Sequence, residues 1–430
     1  MRLLFTSLIL CLFGNINIKG QTSIPIEKAE IYYNEVKTLC DKDGGKLWGK
    51  SIYAPTLFID PQTLDVVSNE SDNENLLAKH GNLYTGKFPA DKIIANSITQ
   101  FGGKNFTMVM YPLPEDDYTR NSLIVHEMFH YHQKELGLDS LNYNNSHADD
   151  IQARIYLKLE WNALEKALEE KNPKTAKDHI KNALIFRNLR RSLFENSATN
   201  ENKFELQEGL AEYTGHKLCA KSESELTDKV LQLKKRTESN TSFTRSFAYF
   251  SGTIYACLLD RTKTDWRKNL KPNDDLGILL QNAYKISLPK DLNSNGLKIR
   301  ENYDYTAIND FEVKQKEEKD KVLAHYEDIF TKKIVLTINL TNPNIGFNPN
   351  NVESLGSLGT VYPNIRIVDI WGELIVNKGG GLLTDWKKIT IPANNIQIEN
   401  NLIKTDDWTL KLNNGFTVIN ENNNYIVQKE

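Results

Sequence analysis

The chain has 430 residues, of which 40% are hydrophobic and 25% charged, with a formal net charge of −3. That length predicts two domains, or one large domain with an accessory module, and enough apolar residues to bury a substantial core. The balanced charge and the lack of a long basic run argue against nucleic acid as a partner.

At the N-terminus, Arg2 precedes an apolar run from Leu3 to Phe13, broken only by Thr6 and Ser7. At about ten residues the run is too short to span a bilayer. It fits the apolar segment of a secretory signal peptide over residues 1–20, with cleavage between Gly20 and Gln21. The expectation is export to the periplasm or beyond. Cys11 does not follow a small residue, which argues against a lipoprotein signal. No later stretch is long and apolar enough for a membrane helix. Removing the signal leaves Cys40, Cys219 and Cys257, so at least one cysteine has no partner within the chain.

Residues 21 to about 117 read as short β-rich runs and turns. "SIYAPTLFID" (51–60) and "FTMVMYPL" (106–113) have strand composition, closed by Asp60-Pro61 and by Pro112. The second of these reads either as an edge strand along which an extended peptide can lie, or simply as a core strand. Residues 118 to 330 read as mostly helical. Ile151, Ile155, Leu159 and Leu164 recur at near-helical spacing until Asn172-Pro173, and a second helix follows from about Thr175 to Phe194. The charged stretch 311–322 predicts a solvated helix or linker. From Ile334 the runs become short and β-type, divided by Asn, Gly and Pro, which predicts a small all-β module over 334–430.

The chemistry concentrates in "SLIVHEMFHYHQ", residues 122–133, which holds three of the chain's eight histidines. Leu123, Ile124, Val125, Met128 and Phe129 make a helix that is apolar nearly all round and hence buried. His126 and His130 lie one turn apart on one face, placed to share a metal ion, with Glu127 beside them to handle a proton. Two neutral imidazoles on a buried helix favour ligation over burial without partners. A catalytic zinc needs a third protein ligand. The H-E-x-x-H-x-x-G-x-x-H extension is absent, because Gln133 stands where its Gly belongs. The candidate is Glu208 in "FELQEGLAEYTGHKL" (204–218), where Glu208, Ala211, Glu212 and Gly215 share one helical face. Like charges at i and i+4 repel, and a cation relieves that. Gly209 and Gly215 each weaken a helix by about 1 kcal/mol relative to Ala, which points to a packing or functional reason for them.

H-E-x-x-H followed by E-G-L-A-E-Y resembles the gluzincin metallopeptidases. Glu208-Gly209-Leu210-Ala211 matches their E-G-x-A third-ligand motif, and Glu212 stands where some members carry an acid that orients a zinc-bound His. The motifs lie about 80 residues apart, farther than is common in the family, with the helices of about 149–195 as an insertion. No G-x-M-E-N stretch precedes the first motif, so the aminopeptidase branch lacks support. "PLPEDDYTRNSLIVHEMFH", "ARIYLKLEW" and "RSFAYFSGTIYACLLD" are similar to exported bacterial proteins of unassigned substrate.

The resemblance implies an α+β fold: a zincin-like domain over 21–330, β-rich first and helical later, followed by the all-β module. It implies a Zn²⁺ cofactor and a peptide or protein substrate. His126, His130 and Glu208 would be metal ligands, Glu127 the general base, Glu212 the partner of a ligating His, and Tyr249 or Tyr255 the oxyanion donor, with His216 and His147 as alternatives. His132 is expected in a supporting or surface position. Arg154, Arg187, Arg190 and Arg191 are candidates for a substrate carboxylate or for structural pairs. Competing readings are an inactive zincin that binds through its β-module, and a zinc hydrolase of a cell-wall or glycopeptide linkage. The intact Glu127 argues against inactivity.

Overall fold

The computed structural model describes residues 22–138, 143–268, 270–348 and 351–430; the expected signal peptide lies outside these residues. The architecture is mixed α+β, with sheets toward both ends of the chain and helices in the middle. The chain divides into two compact units. One holds the described residues up to 147 with 160–239 and 244–296; the other holds 148–159, 240–243 and 297–430.

The first unit begins with helix α1 (Ile26–Asp43), where the sequence reading expected only strands and turns. Ala29, Tyr32, Tyr33, Val36 and Cys40 recur at helical spacing and are buried. Gly44, in the left-handed region at φ 59°, ends the helix. Six strands follow: β1 (Thr56–Ile59), β2 (Asp65–Ser68), β3 (Ala78–His80), β4 (Leu83–Lys87), β5 (Ser97–Phe101) and β6 (Lys104–Met110). Their order is β3-β4-β2-β1-β6-β5. β6 is therefore internal, the core strand of its two readings, and not the edge. It pairs in parallel with β1 and antiparallel with β5, which forms the edge. The β5–β6 hairpin turns through Gly102 and Gly103, both at positive φ, as a tight two-residue turn requires.

Helix α2 (Asp117–Gln133) starts at Asp116, whose carboxylate accepts the Thr119 amide at 2.8 Å. Ile124, Val125, Met128 and Phe129 are fully buried on it, as their run predicted. Then come α3 (Ile151–Glu169), α4 (Pro173–Ser192) and α5 (Ser197–Phe204), with Asn172 capping α4 ahead of Pro173. A π-helical turn, Glu205–Gly209, links α5 to α6 (Leu210–Cys219). After these lie α7 (Glu223–Glu238), α8 (Phe247–Asp260), α9 (Leu276–Ala283) and α10 (Leu292–Ile299). Close backbone approach accounts for two glycines. A Cβ on Gly209 would stand 2.6 Å from the Gly252 Cα on α8, and one on Gly215 would stand 2.5 Å from the Ser122 carbonyl on α2. No side chain fits at either place.

In the second unit, α11 (Tyr305–Lys332) is the charged helix expected over 311–322, mostly solvated but with Glu312 buried beside Arg154 and Lys158. Beyond it, short strands from Val335 to Lys429 form a seven-stranded and a six-stranded sheet. Leu336, Ile389 and Ile391 of one sheet share a core with Ile367, Leu374 and Trp408 of the other, so the two sheets pack face to face. Phe330 near the end of α11 packs against Val361 and Leu382 of the sandwich. α11 thus belongs with the β-module, not with the preceding domain where the sequence reading drew its boundary.

Candidate metal centre

His126 and His130 project from one turn of α2, and their Nε2 atoms lie 3.1 Å apart. The π-turn presents Glu208 opposite them, with Oε2 at 3.5 Å from each Nε2. Ligand bonds of about 2.0–2.1 Å in tetrahedral geometry place donor atoms roughly 3.3–3.4 Å apart. The three donors therefore sit at the spacing one tetrahedral ion requires. They form the one such group of His, Cys, Asp or Glu among the described residues.

The far sides of both rings are held by acceptors. His126 Nδ1 lies 2.9 Å from Glu212 Oε2, and a carboxylate can only accept, so this nitrogen carries the proton. His130 Nδ1 lies 2.7 Å from Gln133 Oε1. Each ring thus turns the lone pair of Nε2 inward, the tautomer a metal ligand needs. Without a cation, two inward lone pairs and a carboxylate repel. A proton then takes the cation's place: burial alone pushes the His126 imidazole down, but Glu208 and Glu212 outweigh it and raise it to about 10. The donor set, the spacing and the tautomers all fit a divalent metal.

Glu212 supports His126 as the resemblance implied. Burial alone would raise its carboxyl, but His126 and His216 hold it well below the usual carboxylate range. Its second oxygen meets Arg236 at 2.9 Å and lies 3.3 Å from His216 Nε2. His216 Nδ1 in turn meets the Tyr118 hydroxyl at 2.9 Å. His216 therefore stands behind Glu212 rather than at an oxyanion, and sequence reasoning missed both Arg236 and Tyr118. Glu127 is 6% exposed. Burial raises its carboxyl, against the pull of His126 and His130.

The two tyrosines separate. Tyr249 lies flat over His126, with ring centroids 5.6 Å apart and planes 5° apart, and the Glu208 carboxylate acts on its phenol. Burial, then that carboxylate, push its phenol far up, so it stays a donor. Tyr255 is a correction. It is wholly buried, with its hydroxyl donating to Glu160 Oε1 at 2.7 Å and Arg187 over its ring. Six residues turn a helix by about 240°, so it leaves α8 on a different face from Tyr249. Tyr143 was not anticipated. Burial and then Glu208 push its phenol up to about 12.

The remaining candidates lie elsewhere. His147 pairs with Glu201 at 2.9 Å. His132 is 7% exposed, so it is buried rather than on the surface. Arg187 and Arg190 are buried in ion pairs with Glu160, Glu201 and Glu205, and Arg154 with Glu312. Arg191 joins Glu201 and Asp275. These arginines are structural. Comparison with family profiles, with curated proteins and with solved structures returns no match for this chain.

Proposed function

We propose that this chain is an exported zinc-dependent hydrolase of peptide amide bonds, related to the gluzincin metallopeptidases. The observation that supports it most is the convergence of His126 Nε2, His130 Nε2 and Glu208 Oε2 at 3.1–3.5 Å, with each imidazole already in the ligating tautomer. Two nitrogens and one oxygen are a catalytic zinc's protein ligands, with a fourth position left for water or substrate.

When bound, zinc supplies Lewis acidity, polarising a carbonyl and acidifying water. The chain supplies the rest. Glu127 adjoins His126, and its raised carboxyl suits a group that accepts a proton and releases it to a leaving amine. Tyr249 holds its proton and can donate a hydrogen bond to a developing oxyanion. Glu212 and Gln133 fix the two imidazoles. Export rests on the signal-like segment of residues 3–13. Among the described residues no helix is long and apolar enough to cross a membrane.

The deciding measurement is zinc per chain on purified protein together with digestion of a broad peptide library. The expectation is one zinc in the wild type, none in Glu208→Ala, and cleavage only by the wild type. Zinc without cleavage of any peptide would favour a binding role. Wild type without zinc would overturn the reading.

A further inference from the structure

Gln133 ends α2 three residues after His130 and is 2% exposed. Its side chain makes contacts in two directions. Oε1 lies 2.7 Å from His130 Nδ1. Nε2 donates to the Gln207 carbonyl at 2.7 Å and to the Leu206 carbonyl at 3.3 Å. The two carbonyls fix the amide's orientation, because only its NH₂ end can face them. Its oxygen must then face Nδ1, and Nδ1 must carry the proton. The Gln207 side-chain nitrogen, 3.3 Å from the same Nδ1, is also a donor and would favour the other tautomer; the shorter Gln133 contact at 2.7 Å decides between them.

The carbonyls that Gln133 binds belong to the π-turn. Within it, the Leu210 amide reaches the Glu205 carbonyl, five residues back instead of four. The extra residue shifts the bonding ladder, which opens carbonyls in the turn to partners from outside the helix. Gln133 supplies those of Leu206 and Gln207, and the Thr253 hydroxyl reaches that of Gly209 at 3.3 Å. Glu208 is the residue between the last two. The wider turn and the amide that caps it therefore set where Glu208 projects.

We infer that Gln133 is a positioning residue that couples two metal ligands through one amide: its oxygen sets the tautomer and tilt of His130, and its NH₂ holds the π-turn that carries Glu208. The inference rests on the metal reading above and goes beyond it. Neither end alone accounts for the residue. Aligning His130 needs only an acceptor, whereas capping the turn needs only a donor. A side chain with both, at this length, joins α2 to the π-turn.

Two full-length variants test this. Gln133→Met removes both contacts at similar volume. Gln133→Glu keeps an acceptor for His130 but sets oxygen against the carbonyls. Zinc affinity is read by competition with a chelator of known affinity, geometry by the visible spectrum of the cobalt-substituted protein, and folding by circular dichroism. Loss of such a supporting partner weakens metal binding about 10- to 100-fold. The expected result is a loss in that range for both variants, with a changed cobalt spectrum and a native dichroism spectrum. Gln133→Met with wild-type affinity and cobalt spectrum would overturn the inference. Wild-type affinity in Gln133→Glu would confine the amide to His130 and overturn the coupling. Either failure, with a wild type that binds zinc, leaves the hydrolase reading standing. A wild type that binds neither metal removes both.

Discussion

Two buried clusters of charge lie within the first unit, and they are satisfied in opposite ways. Around α4, Arg187, Arg190 and Arg191 face Glu160, Glu201, Glu205 and Asp275. Guanidinium forks meet carboxylates directly, as in Arg187 to Glu205 at 2.5 and 2.8 Å. Around α2, Arg236 is the one guanidinium among the described residues that pairs with Glu127, Glu208 or Glu212, and its side chain is 63% exposed. The first cluster supplies its own cations. The second pairs its acids with imidazoles whose lone pairs converge on one point. Buried carboxylates need compensating charge, and in the second cluster His126, His130 and Glu208 could hold a cation that supplies it. Glu205 belongs to the first cluster and Glu208 to the second, three residues apart on one π-turn, so the self-neutralised cluster anchors the segment that presents the candidate third ligand.

This contrast can be broken by experiment. The largest expected effect is at the proton-handling acid. Glu127→Gln should retain one zinc per chain and lose about 10²- to 10⁴-fold in turnover, read by metal analysis beside peptide cleavage. Full activity would remove Glu127 from the mechanism. Next is the self-neutralised cluster. Arg187→Met leaves buried carboxylates unpaired and should cost about 3–5 kcal/mol of unfolding free energy, by denaturant titration. A loss under about 1 kcal/mol would mean that the cluster adds little. Third is the pH dependence of the metal-free protein. His126 is raised from 6.5 to about 10 by Glu208 and Glu212 against burial. Its protonation therefore stabilises the fold fully below pH 6.5, and that contribution fades as pH rises toward 10. The melting temperature of chelator-treated protein should fall across that window, and zinc should abolish the fall by replacing the proton. A flat profile without metal would sink the cation argument. The smallest effect is expected at Arg236. Its exposed pair with Glu212 should contribute under about 1 kcal/mol, so Arg236→Ala should barely move the unfolding midpoint.

Much of the site was legible because its chemistry repeats at helical spacing. His126 and His130 at i and i+4 on an apolar run needed no tertiary information. Glu208 and Glu212 were legible as a pair of acids flanked by glycines, and the glycines have the packing reason expected of them. The helical middle and the β-module were readable from period and punctuation. Other features carried a signal that was passed over. The burial stripe of α1 is periodic, and Gly102-Gly103 marks the hairpin that places β5 outside β6. Tyr255 misled because one tyrosine on an apolar helix looks like another; its place on a different face of α8 and its hydroxyl partner, Glu160, separate it from Tyr249.

The sequence by itself determined the candidate ligand types and two of their positions, because a helix converts spacing into shared direction without help from the rest of the chain. It also determined that helices give way to strands near residue 334. Only the tertiary structure decided that Glu208 reaches the two imidazoles, that Gln133 joins them to its turn, and that the arginines neutralise one another's partners. Those relations join residues tens of positions apart, and their distances depend on how closely α6 packs against α2 and α8. That approach is set by the absence of two Cβ atoms, at Gly209 and Gly215, and no local pattern records what lies across the gap.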